Sequence, residues 1–143
     1  MGVKHKVISQ KFDEDSITEK NPAICSKLIV EGKNKSAREL VLNTEQSEDP
    51  IITADTLVFS PSKEIVGKPK DHKHSKALLR EFSGTTHSVF STVMLSYRGK
   101  SRTETCETFV TFKEMSEQEI KKRIETASFM NPAKYLTQIA EHL

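Results

Sequence analysis

The stretch at residues 51–59, Ile-Ile-Thr-Ala-Asp-Thr-Leu-Val-Phe, constrains the fold of this chain more than any other segment. It is rich in β-branched residues and predicts a strand that packs against a core, because alternate side chains of a strand lie on opposite faces. Asp55 interrupts the run, and a buried carboxylate is costly unless it has a partner, a metal or a catalytic task. Buried polar groups are usually satisfied by their neighbours. The run alone therefore favours a structural Asp55 and leaves a functional one open.

Length and composition favour one α/β domain over residues 1–143. Hydrophobic residues make up 35% of the chain and charged residues 29%, which suits a well-solvated surface. The net charge of +2 gives no reason to expect nucleic acid or an anionic membrane as a partner. The two cysteines lack disulfide or metal spacing, and the sequence has neither a membrane-spanning apolar run nor a signal-peptide core. Together these features predict a cytoplasmic location.

Hydrophobic periodicity and turn signals divide the chain into strands and helices, with no internal repeat or linker. Asn21-Pro22 predicts the start of one helix, Asp71 the N-cap of another, and Ser116 with Glu119 a capping box for a third. The predicted strands cover residues 3–9, 51–59, 87–97 and 103–112; the predicted helices cover residues 22–42, 71–82, 116–126 and 135–143; and residues 43–50 predict a flexible surface loop.

A set of carboxylates and lysines is the best candidate for chemistry. His72 and His74 are a weaker one, because two positions apart they point to different sides of a helix. Hard divalent cations bind carboxylates together with substrate phosphates, and lysines supply charge for those phosphates. The set therefore suits phosphoryl chemistry on a nucleotide, although spacing alone does not show that its members converge. Its members are Asp13, Glu14, Asp15, Lys33, Asp55, Lys68 and Asp71.

Five short motifs follow one another along the chain. They are Phe12-Asp13-Glu14, Ile52-Thr53-Ala54-Asp55-Thr56, Gly67-Lys68-Pro69-x-Asp71, Ser83-Gly84-x-x-His87, and Thr108-x-Val110-x-Phe112 ahead of Ser116-Glu117-x-Glu119-Ile120. In this order they resemble the Maf family of nucleoside triphosphate pyrophosphatases, which are related in fold to inosine triphosphate pyrophosphatase. The resemblance covers residues 2–126 and leaves residues 127–143 as a divergent tail. It implies an α/β fold in which a mixed, twisted sheet is flanked by helices.

The resemblance also implies an activity and a set of site residues. Members hydrolyse a nucleotide between its α- and β-phosphates, giving a monophosphate and pyrophosphate, with a divalent cation such as Mg²⁺ or Mn²⁺. By motif position, Asp55 corresponds to the catalytic base and a metal ligand, and Glu14 to a second metal ligand. Lys68 corresponds to a phosphate contact, as does Lys33, with Lys35 as the alternative because Gly32 blurs the alignment. Thr56, after the catalytic aspartate, resembles the branch that acts on dTTP and UTP.

This sequence departs from the family pattern at both ends. Members begin with a strand and a Ser-x-x-x-Arg-Arg phosphate-binding turn, and they continue into a Lys-Ala-Gly and Ile-Gln-Gly region that contacts the base. The present sequence starts after the first feature and diverges at residues 128–132. We therefore expect a fold that is incomplete at both ends, with an exposed sheet edge that favours a homodimer. The alternatives are an inactive truncated relative that acts through protein association and an unrelated α/β binding module.

Overall fold

A computed structural model describes residues 4–67 and 69–126 of the chain. Lys68, the divergent tail and the helix predicted over residues 135–143 lie outside the described residues. Within these ranges a short 3₁₀ turn comes first, and three α-helices and three β-strands follow it. In chain order they are the turn Glu14–Ser16, α1 (Pro22–Val41), β1 (Ile51–Phe59), α2 (His72–Phe82), β2 (Thr86–Tyr97), β3 (Lys100–Thr111) and α3 (Glu117–Thr126).

The three strands form one sheet in the order β1-β2-β3, and both pairings are antiparallel. Asp55 of β1 lies directly opposite Thr92 of β2, which in turn lies opposite Thr105 of β3. A tight turn at Arg98 and Gly99 joins β2 to β3, and both residues have positive φ, 46° and 72°. This backbone is typical of a two-residue hairpin turn whose twist matches that of the flanking strands.

The strand predicted over residues 3–9 is wrong for the part that the structure describes, because residues 4–9 have no regular secondary structure. The alternating pattern had predicted burial on one side of a strand. Instead Val7 is 83% exposed, and Ile8 alone packs on the small cluster of Ala37, Val41 and Ile51. Ile8 thus anchors this segment against α1 and β1, and its described residues form no strand pairing.

Helix α1 packs on one face of the sheet, and helices α2 and α3 pack on the other. Helix α1 packs on the face that carries Asp55, where Thr53 Oγ1 donates a hydrogen bond of 3.1 Å to the Val30 carbonyl. We call this face the α1 face. Helices α2 and α3 pack on the opposite face, over the far end of β1. Their core cluster consists of Val58, Leu79, Phe82, Phe112, Met115, Ile120 and Ile124.

Local sequence signals explain the helix boundaries. Asn21 Oδ1 accepts hydrogen bonds from the backbone N–H groups of Ala23 and Ile24, and Pro22 occupies the first turn. The predicted cap at Asp71 is confirmed by the hydrogen bond of 2.6 Å from the His74 N–H to Asp71 Oδ1. The capping box is confirmed as well, since Ser116 and Glu119 bond each other's backbone N–H groups. In the described part of the chain, no helix has the length and apolar character needed to cross a membrane.

Candidate functional site

Asp55 lies in the middle of β1 with its side chain under α1. Only 9% of the side chain is exposed, and Lys33 Nζ donates to Asp55 Oδ1 at 2.8 Å. The other carboxylate oxygen, Oδ2, is buried and has no hydrogen-bond partner among the described residues. Buried acceptors are usually satisfied, so an orphaned carboxylate oxygen points to a group that binds there.

Lys33 joins Asp55 to the N-terminal segment. Its side chain is 14% exposed, and its Nζ lies 3.0 Å from Glu14 Oε1 as well as 2.8 Å from Asp55 Oδ1. Lys35, the alternative that the sequence left open, is exposed on α1. The structure therefore brings Lys33, Asp55 and Glu14 together from three separate segments. We refer to these three residues as the charged triad.

Glu14 is held by a short turn that packs on α1. Asp13 starts this turn, and its Oδ1 accepts from the Asp15 N–H at 3.1 Å. Just before the turn, the Phe12 ring lies against Gly32, where a Cβ atom would overlap the ring. Gly32 precedes Lys33, so the glycine allows the turn to approach α1 at the point where Glu14 meets Lys33. Gly32 does not end α1, which runs on to Val41.

Burial and charge shift the proton affinities of the triad. Burial raises the pKa of the Asp55 carboxyl above its ordinary value, and the opposing effect of Lys33 does not cancel this shift. Burial alone lowers the pKa of Lys33, but its hydrogen bonds to Asp55 and Glu14 outweigh burial, and the net shift is upward. Lys33 therefore stays charged near neutral pH. A raised pKa makes Asp55 a better proton acceptor than an exposed aspartate.

The oxygen atoms of the triad suit a hard divalent cation. Mg²⁺ is usually held by one or two carboxylates together with substrate phosphates and water, and the orphaned Asp55 oxygen lies near a second, half-exposed carboxylate in Glu14. Residues 4–67 and 69–126 contain no group of three or more His, Cys, Asp or Glu side chains that could hold a metal ion. The triad therefore fits a metal ion that carboxylates and a substrate phosphate bind together better than an ion that protein side chains bind alone.

The remaining site residues predicted from sequence are not part of the triad. Thr56 projects from the face opposite the α1 face, where its hydroxyl lies 3.3 Å from Ser91 Oγ. This placement follows from the alternation of strand side chains. Asp71 caps α2, and Lys68 lies outside the described residues.

Sequence reasoning missed a row of hydroxyl groups beside Asp55. Thr92, directly opposite Asp55, hydrogen-bonds to Ser26 Oγ of α1 and, at 2.9 Å, to Thr105 Oγ1 of β3. Both Ser26 and Thr92 are fully buried. Only the register of β1 against β2 reveals their proximity to Asp55, because neither residue stands in a recognisable motif.

Comparison with known proteins supports the family resemblance that the sequence motifs indicate. A family model described as Maf-like protein matches residues 1–134. A dTTP/UTP pyrophosphatase of Treponema denticola is 33% identical over 141 residues, which are 93% of this chain and 70% of that protein. A dTTP/UTP pyrophosphatase of Neisseria gonorrhoeae is 33% identical over 124 residues, 85% of this chain and 61% of that protein. A nucleoside triphosphate pyrophosphatase of Haemophilus ducreyi is 36% identical over 109 residues, 76% of this chain. The chain spans between 54% and 70% of the length of these three relatives.

Proposed function

Because this chain belongs to the Maf family, we propose that it is a nucleoside triphosphate pyrophosphatase that hydrolyses dTTP or UTP to the monophosphate and pyrophosphate. The activity for which its relatives are named supports the reaction, and the charged triad supports the place where it occurs. The observation that carries the proposal is the buried Asp55 carboxylate, with one oxygen paired to Lys33 and the other without a partner.

In the proposed reaction, Asp55 acts as the general base. A water molecule attacks the α-phosphorus and gives a proton to Asp55. As the new P–O bond forms, the bond from the α-phosphorus to the oxygen that bridges to the β-phosphate breaks, and pyrophosphate leaves with that electron pair. The raised pKa of Asp55 favours this proton transfer, because a general base works best when its pKa approaches the operating pH.

Lys33 is proposed to supply positive charge to the phosphates. Its ammonium already contacts Asp55 and Glu14 through two of its three N–H donors, so it is fixed beside the base before substrate arrives. Charge that is held in place stabilises a charged transition state without further reorganisation. Lys68 is proposed as a second phosphate contact from its Gly-Lys-Pro motif.

A divalent cation, Mg²⁺ or Mn²⁺, is the proposed cofactor, and Asp55 and Glu14 are the residues that would hold it. When bound, such an ion polarises phosphoryl oxygens and offsets charge on the departing pyrophosphate. Two carboxylates and one ammonium leave the triad with a net negative charge, which favours a cation and disfavours a bare triphosphate.

The proposed preference for dTTP and UTP is supported by the two relatives named as dTTP/UTP pyrophosphatases and by the motif position of Thr56. The side chain of Thr56 lies on the sheet face away from Asp55, so its role in base preference stays a prediction.

We further propose a cytoplasmic homodimer. Exposed apolar side chains on the face opposite α1, at Ile52, Val93 and Leu95, support self-association. Sedimentation velocity would test the homodimer, and a monomer at every protein concentration would contradict it.

Pyrophosphate release from dTTP, UTP and CTP, with Mg²⁺ or Mn²⁺, tests the proposed activity. We expect Asp55→Asn to lower kcat by about a hundredfold or more, which is the usual cost of losing a general base. Asp49→Asn, which changes an exposed loop carboxylate, is the matched control and should keep the wild-type rate. Nucleotide binding without turnover by the wild-type chain would instead support the inactive alternative. A dTTP-to-CTP rate ratio near one would contradict the base preference.

A further inference from the structure

Three large apolar side chains continue the α1 face beyond Asp55. Leu57 and Phe59 follow Asp55 at alternate positions of β1, and Phe90 lies directly opposite Leu57 on β2. The Phe59 and Phe90 rings meet edge to face, with ring centroids 6.2 Å apart. All three side chains are only partly buried, and none belongs to either core cluster of the described residues. We call Leu57, Phe59 and Phe90 the aromatic platform.

The platform lies on the side of Asp55 that faces the C-terminal end of β1. Helix α1 covers the other direction, where Thr53 bonds the Val30 carbonyl and Ile51 packs with Ala37. Two residues along a strand span about 7 Å, so the platform begins within one nucleotide's length of the Asp55 carboxylate. A triphosphate whose α-phosphorus lies at Asp55 can therefore extend its nucleoside along this part of the sheet.

We propose that the aromatic platform binds the nucleobase of the substrate by stacking on the Phe90 ring, with the Phe59 ring, at 83° to it, against the edge of the base. The proposal rests on the proposed function, since it takes the charged triad as the phosphate end of the site. Phe109 of β3 shares this face and is 70% exposed, but Ser88 and Glu107, joined by a hydrogen bond of 2.7 Å, lie between it and the platform. Partly exposed aromatic rings next to a proposed phosphate-binding group are an arrangement that favours base stacking.

Stacking contributes affinity rather than choice of base. Every nucleobase has an aromatic face, so loss of the platform should weaken pyrimidine and purine nucleotides alike. Discrimination between bases needs hydrogen bonds to the base edge, which the side chains of Leu57, Phe59 and Phe90 cannot form. The proposal thus separates base affinity, assigned to Phe59 and Phe90, from base preference, which the sequence assigns to Thr56 on the opposite face.

Binding measurements on the full chain with Mg²⁺ test the proposal without requiring turnover. The two probes are the α,β-imido analogue of dUTP, which resists cleavage at the scissile position, and inorganic tripolyphosphate, which has no base. We expect Phe90→Leu to weaken the nucleotide analogue about tenfold and to leave tripolyphosphate unchanged. Phe59→Leu is the second variant, and Tyr97→Leu is the matched control, because Tyr97 is an exposed aromatic residue on the opposite face.

Each outcome separates the platform from the proposed activity. Equal loss of affinity for both probes in Phe90→Leu and Phe59→Leu would show a general structural effect and overturn the platform. Unchanged binding of the analogue in both folded variants would overturn it too, as would a wild-type chain that does not bind the analogue. If the analogue binds through Phe90 but dTTP is not hydrolysed, the platform stands and the pyrophosphatase activity fails.

Discussion

Lys33 Nζ lies 2.8 Å from Asp55 Oδ1 and 3.0 Å from Glu14 Oε1, so one ammonium group ties a strand, a helix and an N-terminal turn together. The arrangement is electrically unbalanced, with two carboxylates for one cation. Burial already raises the pKa of Asp55, which means that the folded state disfavours its negative charge relative to water. The chemistry proposed for this position would thus be gained at the expense of stability, as is common for functional sites.

The two members of the buried ion pair should respond differently to neutralisation. Lys33→Met leaves a buried Asp55 carboxylate beside the like charge of Glu14, and we expect it to lower the free energy of unfolding by about 3 kcal/mol. Asp55→Asn leaves Lys33 paired with Glu14 and should stay within about 1 kcal/mol of the wild type. Urea unfolding at neutral pH measures both values.

Lys27→Met is the control for this asymmetry, because it removes another lysine from α1. Lys27 Nζ lies 3.9 Å from Glu31 Oε1, and both side chains are largely exposed. Exposed pairs of this kind contribute little, so the expected change is below about 0.5 kcal/mol. If Asp55→Asn destabilised the protein as much as Lys33→Met, the view of Asp55 as a strained, functional carboxylate would be wrong.

Gly32→Ala should destabilise the protein although alanine is the better helix former. Propensity alone favours alanine by up to about 1 kcal/mol in a helix interior. The new methyl group would overlap the Phe12 ring, however, and displace the turn that carries Glu14. We expect the free energy of unfolding to fall by about 1–3 kcal/mol, as for overpacked sites. Chemical denaturation measures it.

Two further variants test whether Phe12 is the cause. Gly67→Ala is the control, since no atom of the described residues, apart from its chain neighbours, lies within 4 Å of a Cβ atom there. Adding Phe12→Ala to Gly32→Ala should cost less than Phe12→Ala costs in the wild type, because the ring has already been displaced. Additive losses would show that Gly32 and Phe12 act independently.

Local features of this chain were predictable because they depend on neighbouring residues. Asn21, Asp71 and Ser116 cap helices where the sequence places them, and the apolar run around Asp55 forms a strand. The spacing of Glu14, Lys33 and Asp55 along the sequence did not predict that their side chains meet. The meeting of Glu14 with Lys33 depends on Phe12 reaching Gly32, a contact between segments about twenty residues apart.

The orientation of side chains across the sheet also needed the structure. Motif position groups Thr56 with Asp55, but strand alternation sends the two side chains to opposite faces. Phe90 stood in no chemical motif, and only the register of β1 with β2 places it next to Leu57, two positions beyond Asp55. The strand predicted over residues 3–9 was wrong in its described part because alternation does not ensure a partner strand.

The stability of the fold should fall on mild acidification because of His87. This residue is 4% exposed, packs between Phe82 and Phe112, and has no described hydrogen-bond partner for Nδ1. Burial lowers the pKa of His87 below its usual 6.5. Below that pH the unfolded chain takes up a proton that the folded chain resists, so His87 leaves stability intact above about pH 6.5 and reduces it as pH falls.

Melting temperatures between pH 7.5 and 5.0 measure this effect, which for one proton is at most about 1.4 kcal/mol per pH unit. His87→Leu cannot titrate, so we expect its stability to change less over this range than that of the wild type. Parallel pH profiles for the wild type and His87→Leu would mean that His87 takes up its proton as readily in the fold as in the unfolded chain. The aromatic enclosure would then have no effect on its charge.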